Sequence, residues 1–143
     1  MAIVGFNFIK LNAERKSPPK GKININNNVS IKDVASYDMF LGKNKQAGLK
    51  FEFEFTSVYS PEVASILITG EVLYLGTADE NEELLKAWKK DKKIKKEILA
   101  EILNTALARA SLEALMISRE FNLPPPIPLP KVESTELDKD YIG

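Results

Sequence analysis

Residues 49–56, Leu49-Lys-Phe-Glu-Phe-Glu-Phe-Thr56, alternate apolar and polar side chains without a break. Successive side chains of a strand point to opposite faces. Leu49, Phe51, Phe53 and Phe55 therefore share one face, and Lys50, Glu52, Glu54 and Thr56 the other. That pattern belongs to an antiparallel strand with one buried face and one that meets water or a partner. Downstream, Ser60-Pro61-Glu62 supplies a turn and the next strand runs from Val63 to about Leu75, with Ala64, Ile66, Ile68, Gly70 and Val72 on one side. The two strands form a hairpin. Upstream, Phe6 and Phe8 alternate with Asn7, and Ile9, Leu11 and Ala13 continue on the other face to about Arg15; Pro18-Pro19 and Gly21 then break the chain. A further strand alternates Ile23, Ile25, Val29 and Ile31 with Asn24, Asn26, Ser30 and Lys32, and its Asn26–Asn28 triplet marks a bulge or a turn. Four strands with short or moderate connections predict a meander. Its one long connection, Ser36 to Gly48, holds Tyr37, Met39, Phe40 and Leu41.

After Leu75 the period changes from two to between three and four. Asp79 followed by Glu82 has the spacing of an N-cap with an acid at N3, and Leu84, Leu85 and Trp88 give a short helix one apolar side. A longer helix runs from Lys93 to about Phe121, with the stripe Ile94, Ile98, Leu99, Ile102, Leu103, Ala106, Leu107, Ala110, Leu112, Leu115 and Met116 turned to the core. Asn122 and the run Leu123-Pro-Pro-Pro-Ile-Pro-Leu-Pro130 stop the helix and impose an extended course. The fold class is thus α+β, a four-stranded antiparallel sheet followed by a short helix and a long helix packed on it. One domain occupies residues 1–130, and residues 131–143, with Glu133, Glu136, Asp138 and Asp140, form an acidic, flexible tail.

Composition excludes much chemistry. A chain of 143 residues with 44% apolar and 28% charged residues can bury a core without disulfides or metal. Twenty basic residues balance twenty acidic ones, so no net field recruits nucleic acid or an anionic membrane. The absence of Cys and His removes disulfides, thiolate and histidine metal sites, cysteine nucleophiles and Ser-His-Asp triads. The N-terminus lacks a signal-peptide pattern and no apolar run is long enough to span a bilayer, which points to the cytoplasm. Abundant Lys and Glu without Cys or His also suits a thermophile.

Glu52 and Glu54 lie on one strand face about 7 Å apart, the repeat of alternate strand residues. Acid/base catalysis would need them in a cleft with displaced pKa values; solvated charges on a sheet face account for them more simply. The lysines from Lys86 to Lys96 have no aromatics interleaved for base stacking beyond Trp88, which belongs to the apolar side of the short helix, and Glu80, Glu82, Glu83, Asp91, Glu97 and Glu101 surround them, so a solvated helix surface is preferred to nucleic-acid binding. Gly42-Lys43 and Gly48 lack the spacing of a phosphate loop. No catalytic residue, cofactor site or metal site is assigned, and the chain is read as a non-enzyme. One main helix covers one sheet face only, while Leu67, Leu73 and Leu75 lie on the other side of their strand. Such apolar surface serves either self-assembly or the binding of other chains.

The order of four strands, short helix, long helix and proline-rich exit resembles the SecB-type export chaperones. The residues that carry the resemblance are Ile102-Leu-Asn-Thr-Ala-Leu-Ala-Arg-Ala-Ser-Leu-Glu-Ala-Leu-Met-Ile-Ser-Arg119 and the following Glu-Phe-Asn-Leu-Pro-Pro-Pro-Ile-Pro-Leu-Pro130. It covers roughly Ile23 to Pro130 and rests on element order, not on a catalytic signature. The resemblance implies a homo-oligomer, a dimer or tetramer, that holds unfolded or precursor polypeptides in apolar grooves without ATP. Candidate peptide-binding residues are Met39, Phe40 and Leu41 in the long connection, and Met116, Phe121 and Leu123 at the helix exit; methionine adapts to varied side chains. Two departures stand out. The family is strongly acidic and this chain is neutral, and the family's zinc-binding tail has no counterpart without Cys or His. A stand-alone holdase, or a chaperone dedicated to one client, fits these departures better than a general export factor. The rival reading is a structural homo-oligomeric domain.

Overall fold

In the computed structural model, which describes residues 2–42 and 44–129 and only the main chain of Met39 and Leu41, the apolar faces of the alternating segments meet in one core. The acidic stretch from 131 to 143 lies outside the described residues. The strands are β1 (Ala2–Arg15), β2 (Asn24–Leu41), β3 (Asn44–Ser60) and β4 (Ala64–Leu75); the helices are α1 (Ala78–Asp91) and α2 (Lys96–Glu120). Among the described residues no helix is long and apolar enough to cross a membrane.

All strand pairs are antiparallel, in the order β1-β4-β3-β2. The expected meander holds for β2, β3 and β4. β1 departs from it: its partner is β4, at the far edge from β2. Its connection to β2 passes the β3–β4 turn, where the amides of Lys16 and Ser17 donate to the Val63 carbonyl at 2.7 and 3.2 Å. The long connection expected from Ser36 to Gly48 is instead strand almost throughout. β2 and β3 continue through it as a hairpin, with Met39 opposite Gln46 and Leu41 opposite Asn44. Gly42, at φ 68°, makes the reversal, a conformation that favours glycine. Polar side chains there obscure a strand that main-chain pairing sustains. The Asn triplet also stays in the ladder, opposite Val58, Ser57 and Thr56, and the irregularity falls between Ile31 and Asp33.

β3 and β4 are central and bury one full face. Leu49, Phe51, Phe53, Phe55 and Tyr59 of β3 join Ala64, Ile66, Ile68, Val72 and Tyr74 of β4. Each fully buried Phe, Leu or Ile contributes roughly 1.5–3 kcal/mol before chain entropy is counted. Gly70 sits in this face because nothing larger fits: a Cβ there would lie 2.6 Å from the Asn7 carbonyl oxygen and 2.7 Å from the Phe53 ring.

α1 begins two residues earlier than expected. Thr77, not Asp79, is the N-cap, and its hydroxyl accepts from the Glu80 amide at 3.2 Å. α2 crosses β4, β3 and β2 with a buried row spaced by four, Ile98, Ile102, Ala106, Ala110, Ala114 and Ser118. The expected stripe is only partly turned to the core. Leu107, Leu112 and Met116 are exposed, because alanines take the close contact and leave the larger side chains outward.

Gly70→Ala should lower stability by about 1–3 kcal/mol through overpacking against Asn7 and Phe53. Urea unfolding followed by far-UV circular dichroism measures this; an unchanged midpoint would contradict the close packing described.

Candidate functional site

The last turn of α2 decides where the proline-rich run goes. Asn122 adopts a left-handed conformation, φ 54°. Its amide donates to the Arg119 carbonyl at 3.2 Å, and the Leu123 amide to the Ser118 carbonyl at 2.9 Å. This pair of bonds is the Schellman closure, with Asn in the position that glycine often fills. It turns the chain back on its helix and buries Leu123, which is 8% exposed. The buried Ser118 hydroxyl donates to the Leu115 carbonyl at 2.7 Å.

Beyond Leu123 the prolines have no N–H, so only carbonyls need partners. The sheet supplies donors. Tyr59 Oη donates to the Pro124 carbonyl at 2.6 Å, and Asn27 Nδ2 to the Pro126 carbonyl at 2.6 Å. Arg15 reaches the Phe121 carbonyl at 3.1 Å. Residues 123–126 thus form a strap pinned to β2 and β3.

Between strap and helix runs an open groove of about 400 Å³, lined by Leu115, Met116, Ser118, Arg119, Leu123, Pro125 and Leu129. Its floor is apolar, and Arg119 is its one charged wall. Leu112, one turn before Met116, extends the apolar strip along α2; these two residues are 60% and 57% exposed. Ordinary core packing, the simplest expectation for Met116, does not hold.

Of the residues singled out from sequence, Met116 and Leu123 line this groove. Phe121 is half-buried against the core beside it. Phe40 is 72% exposed near the tip of the β2–β3 hairpin. It lies 13 residues along β2 from Asn27, the strap's anchor, or about 40 Å at strand rise. The candidates therefore do not form one site. Met39 and Leu41 are on the Phe40 hairpin, but their side chains lie outside the described residues. Sequence reasoning missed Tyr59, Asn27 and Leu112. Tyr59 was legible in principle, since Ser57 and Tyr59 extend the period of β3 past Thr56.

Glu52 and Glu54 are half-buried on the outer sheet face. Lys50 lies between Glu52 and Glu71, at 3.8 and 3.9 Å, and Asn7 donates to Glu71 at 3.2 Å. These contacts make a charge-compensated sheet surface.

Burial pushes the Tyr59 hydroxyl up from 10.0 to about 12. Burial, aided by Glu101 and Glu80, also raises Tyr74. A raised folded-state value means that the unfolded chain ionises first. The stabilisation is complete below pH 10 and is lost as the pH climbs towards 12. Tyr59→Phe should cost about 1 kcal/mol at neutral pH through the lost strap bond. It should also flatten the alkaline decline in stability, leaving the part due to Tyr74. Denaturant midpoints from pH 7 to 11 check both; a parallel decline in wild type and variant would contradict the assignment.

No protein-family model matches the chain, and no curated protein does. Among solved structures, the chain is similar to a SecB-like chaperone of Mycobacterium tuberculosis, solved in complex with a peptide from an antitoxin. The superposition has a TM-score of 0.56 at 12% identity and covers 92% of this chain and 90% of the other. A likeness over this share of both chains establishes a SecB-like fold.

Proposed function

We propose that this protein is an ATP-independent chaperone of the SecB type that holds non-native polypeptides in the groove between α2 and its strap. The observation that carries the proposal is the outward apolar strip of Leu112, Leu115 and Met116, continued by Leu123, Pro125 and Leu129. In the monomer this strip faces water, and covering it with another chain removes apolar surface from solvent. An extended client segment can lay alternate apolar side chains along it while its main chain stays hydrated. Shape and burial select such a ligand and no reaction is needed, in keeping with a non-enzyme acting in the cytoplasm. The peptide held by the Mycobacterium protein supports the reading. Phe40 and its hairpin form a second apolar contact for a long client. Unfolded or precursor chains are the partners proposed, with the protein assembling as a dimer or tetramer. Leu107 is 40% exposed on another side of α2 and favours that assembly.

Stoichiometric protein should suppress light scattering by a heat-denatured client. Leu112→Ser with Met116→Ser should weaken holding by about 2 kcal/mol, roughly 30-fold in affinity. Because both residues are exposed, thermal stability and sedimentation of the variant should match wild type. Unchanged scattering in the presence of wild-type protein rules out the chaperone. Loss of the oligomer in the double variant assigns the strip to self-assembly instead.

A further inference from the structure

We propose that the lysine-rich turn joining α1 to α2 is a docking surface for an acidic polypeptide segment of a partner protein. Residues 86–96, Lys-Ala-Trp-Lys-Lys-Asp-Lys-Lys-Ile-Lys-Lys, carry seven lysines against Asp91 alone. The chain as a whole is neutral, so a net charge of +6 is concentrated in eleven consecutive residues. All seven lysines are exposed. Among the described residues only Lys86 has a carboxylate within ion-pair distance, Glu82 at 3.1 Å.

Glu80, Glu82, Glu83, Glu97 and Glu101 flank the stretch on both sides, so the excess positive charge is confined to the turn and the helix ends that meet in it. α1 follows the dipole at both ends. Thr77 caps it, Asp79 and Glu80 stand in its first turn, and Lys89 and Lys90 in its last. α2 follows the dipole only in part: Glu97 stands in its first turn, but lysines outnumber it there. Lys95 is the N-cap without any side-chain cap hydrogen bond, Lys96 opens the helix, and Lys93 lies just ahead. Cationic side chains thus crowd the positive end of the dipole, where main-chain N–H groups lack side-chain acceptors. Carboxylates arriving from outside would meet both needs, screening the lysines and accepting from those amides.

The surface selects peptide over nucleic acid. The only aromatic side chain in the turn, Trp88, is buried, and the Lys92 ammonium lies 4.8 Å from its ring centroid. No ring remains on which a base could stack. A partner's Asp/Glu-rich segment of a few residues matches the extent of the turn. Lys96 and Met116 are 20 residues apart on α2, about 30 Å at helical rise, so this surface is separate from the client groove.

Fluorescence anisotropy with labelled decaglutamate tests the proposal on the full chain. Wild type should bind it, and affinity should fall about tenfold or more between 50 and 200 mM salt. Lys89→Glu/Lys93→Glu/Lys96→Glu should abolish binding, and the neutral Lys93→Gln/Lys95→Gln/Lys96→Gln should weaken it several-fold. Both variants should keep wild-type suppression of client aggregation, which separates this surface from the groove. Unchanged decaglutamate affinity in either variant overturns the proposal. So does tighter binding of labelled decathymidylate at the same lysines, which would assign the turn to nucleic acid. A gain in affinity on neutralising Glu133, Glu136, Asp138 and Asp140 overturns it too, because the chain's own tail would then be the occupant.

Discussion

The packing of small side chains on α2 against the phenylalanine row of β3 governs everything else in the molecule. Ala106, Ala110 and Ala114 are fully buried, so the helix backbone approaches the sheet closely. A row spaced by four advances about 40° around the helix at each step. The sheet cannot follow that rotation alone, and other elements cover the row's ends. Ile98 borders a small cavity with Leu84 and Ala87 of α1, and Ser118 lies beneath the strap. Gly70 is the matching concession in the sheet, making room for Phe53 and for the backbone of β1.

The exposed apolar strip follows from the same geometry. Had leucines taken the inner row, α2 would sit farther from the sheet and its polar residues would face water. Alanine inside displaces Leu112 and Met116 to the outside. The Schellman turn at Asn122 then aims the prolines back along the helix, where Tyr59 and Asn27 hold them. A groove with one wall of helix and one of strap results. Neither wall moves easily. The proline carbonyls are pinned from β2 and β3, and proline's fixed φ limits the strap's own freedom.

The fold was largely readable because its strongest signals are periodic. The alternation of Leu49 to Thr56 gave strand, face and burial correctly, and the Ala64–Val72 series did the same for β4. Three features were hidden for separate physical reasons. The position of β1 beside β4 depends on long-range pairing, and local alternation is blind to partner choice. The hairpin at Gly42 is built from Tyr37, Asp38, Lys45 and Gln46, whose polarity suits a loop as well as an edge ladder. On α2, apolar periodicity locates the helix but does not separate close-packing alanines from outward leucines, because both fit a spacing of three or four. The site was less legible for that reason. Met116 and Leu123, candidates implied by the family resemblance, line the groove at the helix exit. The clamp of Tyr59 and Asn27 needed the three-dimensional fold, since each partner is more than 60 residues away in sequence.

Screening separates the two ends of α2 electrostatically. The charged turn and the apolar groove are about 30 Å apart, whereas charges are screened over about 8 Å at physiological ionic strength. The turn's field therefore reaches neither Leu112 nor Met116. The proposed apolar client would be held by burial, which salt affects weakly, and the proposed acidic segment by charge, which salt weakens steeply. Under the two proposals, a rigid helix carrying both surfaces would let one molecule hold a client at one end and meet a partner at the other, with neither event altering the other's affinity. Coupling between them would require a change in the close packing of the alanine row, whose three alanines are fully buried.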